Sequence, residues 1–273
     1  MNALERWERA LQGWGIPEEI LAEAPESPWG FPPELMRRRG ESAASLQPTL
    51  SARRALEALP EGGEVLDVGV GGGAASLPLA ERAARIVGVD ASEDMLAAFK
   101  ETAAGTGVEV ATALGTWPDV AGRVEAVDVV VCNHVLYNVG DLDPFVRALD
   151  DHARGRVVVE ITAEHPLAWM RDLWLRFHGL ERPTEPTADT ALDALRELGL
   201  HARREDEIRA PRASGFARRE DAVALIRRRL CLQAARDAEL AEALGPRLAE
   251  HGGLWSAGPL EQAAATLWWD RTG

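Results

Sequence analysis

Apolar positions recur along the chain in two rhythms, one of period about 3.6 and one of short unbroken runs, and their alternation predicts helices interleaved with strands. Leu4, Trp7, Leu11 and Trp14 fall at helical spacing and predict a short amphipathic helix at the start. Pro17, Pro25, Pro28, Pro32 and Pro33 then interrupt regular structure, with Trp29 and Phe31 among them. Aromatic residues at that density are expected to pack on something. Residues 1–44 therefore read as an arm that either covers an open edge of the core or lies over a ligand as a lid.

From about Ser45 to Ile161 the rhythm is strand, helix, strand, helix. A helix carrying Leu50, Ala55, Leu56 and Leu59 stops before Pro60. Val65–Val68 is a buried strand, followed by a glycine loop and a helix through Leu77, Leu79 and Ala80. Arg85–Val89 is a second strand, and Ser92 caps a helix with Met95, Leu96 and Phe99 inward. Val108–Ala113 is a third strand and Val127–Cys132 a nearly all-apolar fourth, as a strand covered on both faces requires. Asp141 caps a helix with Phe145, Val146 and Leu149 inward, and Arg156–Ile161 is a fifth strand. Such alternation implies crossovers and a doubly wound, mostly parallel α/β sheet.

The last third is less regular. His165–Arg182 reads as a helical insertion with Trp169 and Trp174, and Ala188–Leu198 as a helix closed by Gly199. A polar strand near His201–Arg209 follows, then two helices, one with Val223, Ile226 and Leu230, the other with Leu240, Leu244 and Leu248. Ala265–Asp270 reads as a short terminal strand. The organisation expected is an arm at 1–44 and one domain at 45–273, with helical insertions around 165–186 and 216–251.

At 273 residues the chain can bury a full core without staples. Its 30 basic and 44 acidic side chains leave a formal charge of −14, which argues against a general grip on phosphate backbones. Two cysteines, Cys132 and Cys231, make neither a disulfide framework nor a four-thiolate metal site, and Cys132 in its apolar run reads as a small core residue. The start of the chain lacks the apolar stretch of a signal peptide, and no run is long enough to span a bilayer. A cytoplasmic protein is expected, with no metal and no membrane, a small-molecule partner in preference to nucleic acid (a local basic groove stays open), and a homodimer as one candidate assembly.

Chemistry concentrates at Val65-Leu66-Asp67-Val68-Gly69-Val70-Gly71-Gly72-Gly73, a strand running into glycines. Glycines let backbone approach a ligand closely, and a helix start behind them would offer amide donors to a polar group. The loop alone fits the G-x-G-x-x-G/A pattern of dinucleotide folds as well. Asp67 separates the readings, because a carboxylate there repels a diphosphate and suits an amino group. Asp90, ending Ile86-Val87-Gly88-Val89-Asp90, can accept both hydroxyls of a ribose. Met95, five residues on, could lie against a base or simply be core.

With these residues the chain resembles the class I, seven-strand S-adenosylmethionine-dependent methyltransferases, from roughly Leu56 to Ile161. Asp67-x-Gly69-x-Gly71-x-Gly73 matches that family's first motif in full. The resemblance implies a Rossmann-like seven-stranded sheet and S-adenosyl-L-methionine as cofactor. It implies that Asp67, Gly69 and Gly71 hold the methionine part and that Asp90, with Ala91 beside it, meets the ribose. Gly115-Thr116-Trp117 would flank adenine; Thr116 departs from the acid common in that loop. Asn133 and His134, leaving the fourth strand, match the segment whose backbone cradles the methionine amino group.

The acceptor side is less defined. His134, Tyr137 and His165 are the candidate proton carriers near the mouth of the sheet. Asn133-His134-Val135-Leu136 is not the Asn-Pro-Pro-Tyr type motif of amino-group methyltransferases. Trp29, Phe31, Trp169 and Trp174 could wall an apolar acceptor pocket or pack a cap. Arg227-Arg228-Arg229 reads as a solvated face with ion pairs. The leading expectation is methyl transfer to a small or medium-sized molecule. The alternatives are an RNA or protein methyltransferase docking through the arginine-rich C-terminal helices, an NAD(P)-dependent oxidoreductase, and a cofactor-binding scaffold without catalysis.

Overall fold

The computed structural model describes residues 1–29, 48–209, 215–259 and 261–271. Among these, the strands in chain order are β1 (Gly63–Val68), β2 (Ala83–Asp90), β3 (Glu109–Leu114), β4 (Val127–Asn133), β5 (Ala153–Thr162), β6 (Arg203–Arg209), β7 (Leu248–His251), β8 (Leu254–Ala257) and β9 (Gln262–Asp270). The helices are α1 (Ala3–Gln12), α2 (Glu18–Glu23), α3 (Leu50–Ala58), α4 (Glu93–Ala103), α5 (Leu142–Asp151), α6 (Arg171–His178), α7 (Ala188–Glu197), α8 (Arg219–Arg229) and α9 (Asp237–Leu244). Seven strands join in the order β3-β2-β1-β4-β5-β9-β6. All pair in parallel except β9, which runs antiparallel between β5 and β6.

Strand side chains alternate between two apolar layers. Leu66, Val68, Val130, Cys132, Val157 and Val159 join Phe145 and Leu149 of α5 and Ala191 and Leu195 of α7. Val65, Val129, Val131 and Val158 join Ala52 and Ala55 of α3 and Leu96 and Phe99 of α4. Helices on both faces leave the central strands no wet side, which is why they read as unbroken apolar runs. A third cluster, with Met170, Leu173, Trp174, Val223, Ile226, Leu240 and Leu244, forms the core of a cap. Trp174 is spent there, whereas Trp29 is half exposed. Phe31 lies outside the described residues. Arg227 is ion-paired to Glu26 and Asp237 as expected, but its side chain is only 16% exposed, so the face is paired rather than solvated.

Two expectations fail locally. No α-helix follows the glycine loop: Leu77–Leu79 is a single 3₁₀ turn containing Pro78, which brings no N–H and clashes with a preceding helical turn. Leu248 does not extend the last helix but opens the β7–β8 hairpin. Gly245-Pro246 ends α9, and Gly252 and Gly253, at φ +59° and +79°, supply the left-handed pair of a two-residue hairpin turn. The insertion at 216–251 is therefore helical only up to that hairpin.

The described part of the N-terminal arm is docked by its tryptophans. Asn2 and Glu5 close a capping box on α1. Trp7 is fully buried, donates its indole N–H to the Val139 carbonyl at 2.8 Å and stacks on Tyr137 at 5.4 Å. Trp14 donates to the Glu185 carbonyl at 2.7 Å and stacks on His165 at 3.8 Å. Arg182 donates to the Trp14 carbonyl and, at 2.9 Å, to that of Gly15, placing a cation just past the negative end of α1. Burial pushes the His165 imidazole down to about 3, and the Arg182 and Arg171 charges push the same way.

Trp7→Ala is expected to lower stability by about 3–5 kcal/mol through the cavity left under α1, and Trp7→Phe by less, measured by urea unfolding. A second expectation concerns acid. Above the ordinary histidine value near 6.5, neither folded nor unfolded chain protonates this ring. Below it the unfolded chain takes a proton that the folded chain refuses until about pH 3. His165 therefore withdraws stability as pH falls from 6.5, by up to about 1.4 kcal/mol per pH unit. Melting midpoints at pH 7 and pH 5 should fall further for the natural chain than for His165→Phe.

Candidate functional site

Strand order reverses between β1 and β4, so their following loops diverge and open a cleft at the C-terminal edge of the sheet. Gly69, at φ +77°, sits against the β4 loop so closely that a Cβ there would lie 2.3 Å from Val135 Cγ2. At Gly71, φ +50°, a Cβ would meet nothing within 4 Å, so this backbone faces open space. The Gly69 and Val70 N–H groups donate to the Val89 carbonyl, and the Gly71 N–H donates to Asp90 Oδ2 at 3.0 Å.

Asp67 has no exposed surface. Its Oδ2 accepts the Ser76 hydroxyl at 2.6 Å, and its Oδ1 has no partner among the described residues. Burial pushes its carboxyl up to about 7 against the opposing Ser76 bonds, and the Asp90 charge adds to the rise. The acid thus lies beneath the glycine loop and clasps its far end to β1. Asp90 is half-buried and accepts the Ser92 N–H on Oδ1 at 3.0 Å. A carboxylate offers about four lone-pair sites, so two bonds leave capacity for two hydroxyl donors. Ala91 is exposed and Met95 half-buried beside it.

Thr116 stays exposed at the rim, but Trp117 does not: it is buried in the core, donating to the Phe145 carbonyl at 3.3 Å and packed edge-on against His152. The apolar surface on this side comes instead from Leu114, in register with Asp90 and 42% exposed. An apolar residue closing the third strand, beside the second strand's terminal acid, was the available sequence signal for it.

The other side of the cleft is polar and buried. Asn133 reaches the Ser51 hydroxyl at 3.5 Å, and its own Oδ1 is buried without a partner among the described residues. His134 adopts the left-handed region at φ +62°, a conformation costing roughly 1–2 kcal/mol in a non-glycine residue. Its N–H donates to the Glu160 carbonyl at 2.6 Å, and its Nε2 lies 3.1 Å from Glu160 Oε1. The His134 side chain is 53% exposed and that of Glu160 only 3%. Glu160 also receives the Ser51 hydroxyl at 2.5 Å and both guanidinium nitrogens of Arg209 at 2.6 and 2.7 Å. Burial alone would raise its carboxyl, but the bonds from His134 and Arg209 overrule it and hold the group far below the usual carboxylate range. Sequence reading missed Glu160, Arg209 and Ser51.

Tyr137 and His165 are elsewhere. The Tyr137 hydroxyl donates to the Thr162 carbonyl at 2.8 Å, and burial pushes its acidity well away from neutrality. His165 packs edge-on to it, beneath Trp14, and accepts the Leu167 N–H on Nδ1 at 3.2 Å.

Residues 65–154 match a family model described as a methyltransferase domain. The ubiquinone biosynthesis O-methyltransferase of Mesorhizobium japonicum is 33% identical over 140 residues, covering 46% of this chain and 56% of that protein. Its counterpart from Sinorhizobium medicae is 30% identical with the same coverage. The chain thus spans little more than half the length of these curated relatives. Among solved structures, a cyclopropane-fatty-acyl-phospholipid synthase-like protein from Lactobacillus casei superposes with TM-score 0.54 at 18% identity, covering 96% of this chain and 99% of that one. The YcgJ protein of Bacillus subtilis gives TM-score 0.51 at 17% identity, covering 82% and 98%. At such identities the structural likeness speaks for the fold alone. The domain match over the glycine loop and its neighbouring strands, together with this strand order, makes residues 65–154 a methyltransferase domain similar to those of the class I, seven-strand, S-adenosylmethionine-dependent methyltransferases.

Proposed function

We propose that the chain transfers the methyl group of S-adenosyl-L-methionine to a small or medium-sized molecule. The carrying observation is the pair of acids bound to one glycine loop: Asp67 beneath it through Ser76, and Asp90 on its Gly71 N–H. The buried, unpartnered Asp67 Oδ1 suits an ammonium group and the remaining lone pairs of Asp90 suit a ribose diol. Half-buried Met95 and exposed Leu114 suit the faces of an adenine. Bound there, the cofactor supplies an electrophilic methyl carbon for in-line displacement. The chain's part is then alignment and exclusion of water, which can account for much of such a rate.

The O-methyltransferase relatives favour a small acceptor. A dinucleotide gains no support, because the glycine loop leads into a 3₁₀ turn rather than a helix start for a diphosphate. For RNA, the C-terminal helices offer little: Arg227, Arg236 and Arg247 are paired with Asp237, Glu239 and Asp172. Among the described residues no helix is long and apolar enough to cross a membrane, and no three His, Cys, Asp or Glu side chains gather as metal ligands. Both cysteines are buried thiols, which suits the reducing cytoplasm.

Calorimetry with S-adenosylhomocysteine should show binding that Asp90→Ala weakens at least about tenfold, the worth of one charge-assisted hydrogen bond. No binding to the natural chain, or unchanged binding in the variant, would remove the proposal's basis. The pH dependence has a definite sign. The unliganded Asp67 carboxyl, raised to about 7, must lose its proton to meet an ammonium. Affinity should therefore fall as pH drops from 8 to 6, approaching about tenfold per unit below 7. Asp67→Asn should flatten that profile.

A further inference from the structure

We propose that His134 is the general base of the transfer, that Glu160 is its positioning residue, and that the acceptor group is a hydroxyl of the phenol or enol class. The inference rests on the methyltransferase reading above and adds an acceptor chemistry to it.

Three observations converge. First, His134 is held with one ring nitrogen on a buried carboxylate, Nε2 to Glu160 Oε1 at 3.1 Å, while half of its side chain stays in solvent. A base within hydrogen-bond reach of an orienting group is the arrangement that acid–base catalysis uses. Second, the residue pays for a left-handed backbone at φ +62°, and in that conformation its own N–H also binds the Glu160 carbonyl. Both ends of His134 are thus fixed on one glutamate. Third, the pair sits at the β4 exit, beside Val135, which packs against Gly69 of the cofactor loop.

Glu160 cannot itself be the base. Ser51 and the Arg209 fork occupy it, and its carboxyl is held far below the range in which it would take a proton. The charged groups meeting this pair are Glu160 on β5 and, on β6, Arg209 with Glu207, which binds the same guanidinium. Arg209 largely offsets Glu160, so the carboxylate's main service to His134 is orientation. It fixes the Nε2–H tautomer and leaves Nδ1 as the accepting atom. Nδ1 has no hydrogen-bond partner among the described residues.

A fixed imidazole base points to a particular acceptor. A carboxyl group is ionised at neutral pH without help, and a thiol near 8.5 ionises in useful amounts. An aromatic amine is neutral at pH 7 and already presents its lone pair, whereas an aliphatic ammonium would bring a positive charge toward the sulfonium. A phenol near 10 holds its proton at pH 7 and is a weak nucleophile until it is removed. In the proposed step the acceptor O–H bond breaks and its proton passes to His134 Nδ1. The oxygen's electron pair forms the new bond to the methyl carbon as the carbon–sulfur bond breaks and its pair returns to sulfur. The exposed imidazolium then gives the proton to water.

The test uses catechol and 4-nitrophenol as probe acceptors with S-adenosylmethionine at pH 7.5. His134→Ala should lower kcat on catechol by about 10²–10³, within the usual span for a lost general base. It should lower kcat on the largely ionised 4-nitrophenol by less than about tenfold, and added imidazole should restore part of the catechol rate. S-adenosylhomocysteine affinity, read by calorimetry, should stay within about threefold, since any hold of this segment on the cofactor is through backbone that alanine keeps. Nitrogen-15 NMR should find His134 as the Nε2–H tautomer, and Glu160→Gln should erase that preference and lower kcat with little change in KM. Should the Glu160→Gln chain fail to fold, the solvent-exposed His134→Ala variant carries the test alone. A catechol rate within about threefold of the natural chain's, equal losses on both acceptors, or methylation of thiols or amines but no phenol would overturn the proposal. Failure of the natural chain to bind S-adenosylhomocysteine would instead strike the methyltransferase reading beneath it.

Discussion

A carboxylate buried at the end of β5 governs how the acceptor side of this sheet is assembled. Removing the Glu160 charge from water costs several kcal/mol unless it is matched, and matching it takes partners from three other segments. α3 brings Ser51, the β4 exit brings His134, and β6 brings Arg209 with two parallel bonds. Arg209 must reach over β9 to do so, on the face where Gln262 and Thr266 stand beside the two partners, and between them lies Ala264, whose small side chain leaves the space. Losing any one partner would leave part of a buried charge uncompensated. The network therefore couples the edge strand, the covering helix and the cleft, although these are far apart in sequence.

The cofactor half of the cleft obeys a different constraint, close backbone approach. Gly69 can stand against Val135 because it has no side chain, where a Cβ would come within 2.3 Å of Val135 Cγ2. That contact sets the depth of the cleft, since it fixes the β1 loop against the β4 loop. Beneath it Asp67 is placed where water cannot reach, so its proton affinity rises toward neutrality. Burial thus does opposite things to the two acids of the cleft. Glu160 is surrounded by donors and stays charged, whereas Asp67 has only Ser76 and is poised near its midpoint.

How much of this was legible follows from how local each feature is. The strands, the Ser92 and Asp141 caps and the glycine loop are written in contiguous residues and stand where their pattern put them. At Leu77–Leu79 the apolar spacing predicts a helix that Pro78 limits to one 3₁₀ turn, and at Leu248 it predicts helix where Gly252-Gly253 turn the chain into the β7–β8 hairpin. Trp117 looked like a rim residue by its place in the loop, but a large ring with one N–H is satisfied in the core on the Phe145 carbonyl. Glu160 and Arg209 were illegible for a plainer reason. They are 49 residues apart, and only the antiparallel insertion of β9 brings their strand ends together.

Desolvation also sorts the three proton carriers that the sequence offered. A group that passes a proton must exchange it with water near neutral pH, which requires access and an acidity within a few units of 7. Tyr137 has neither: its hydroxyl is buried on the Thr162 carbonyl under Trp7. His165 is sandwiched by Trp14 with Arg182 and Arg171 nearby, so its ring refuses a proton down to about 3. Both serve instead to seat the N-terminal arm, where neutrality is an advantage because an ionised ring would have to be solvated among tryptophans. His134 differs in being wet on one side and anchored on the other. Its anchor is shared with arginine, so the imidazole is oriented by a carboxylate whose charge is already matched, which is the arrangement the proposed base relies on.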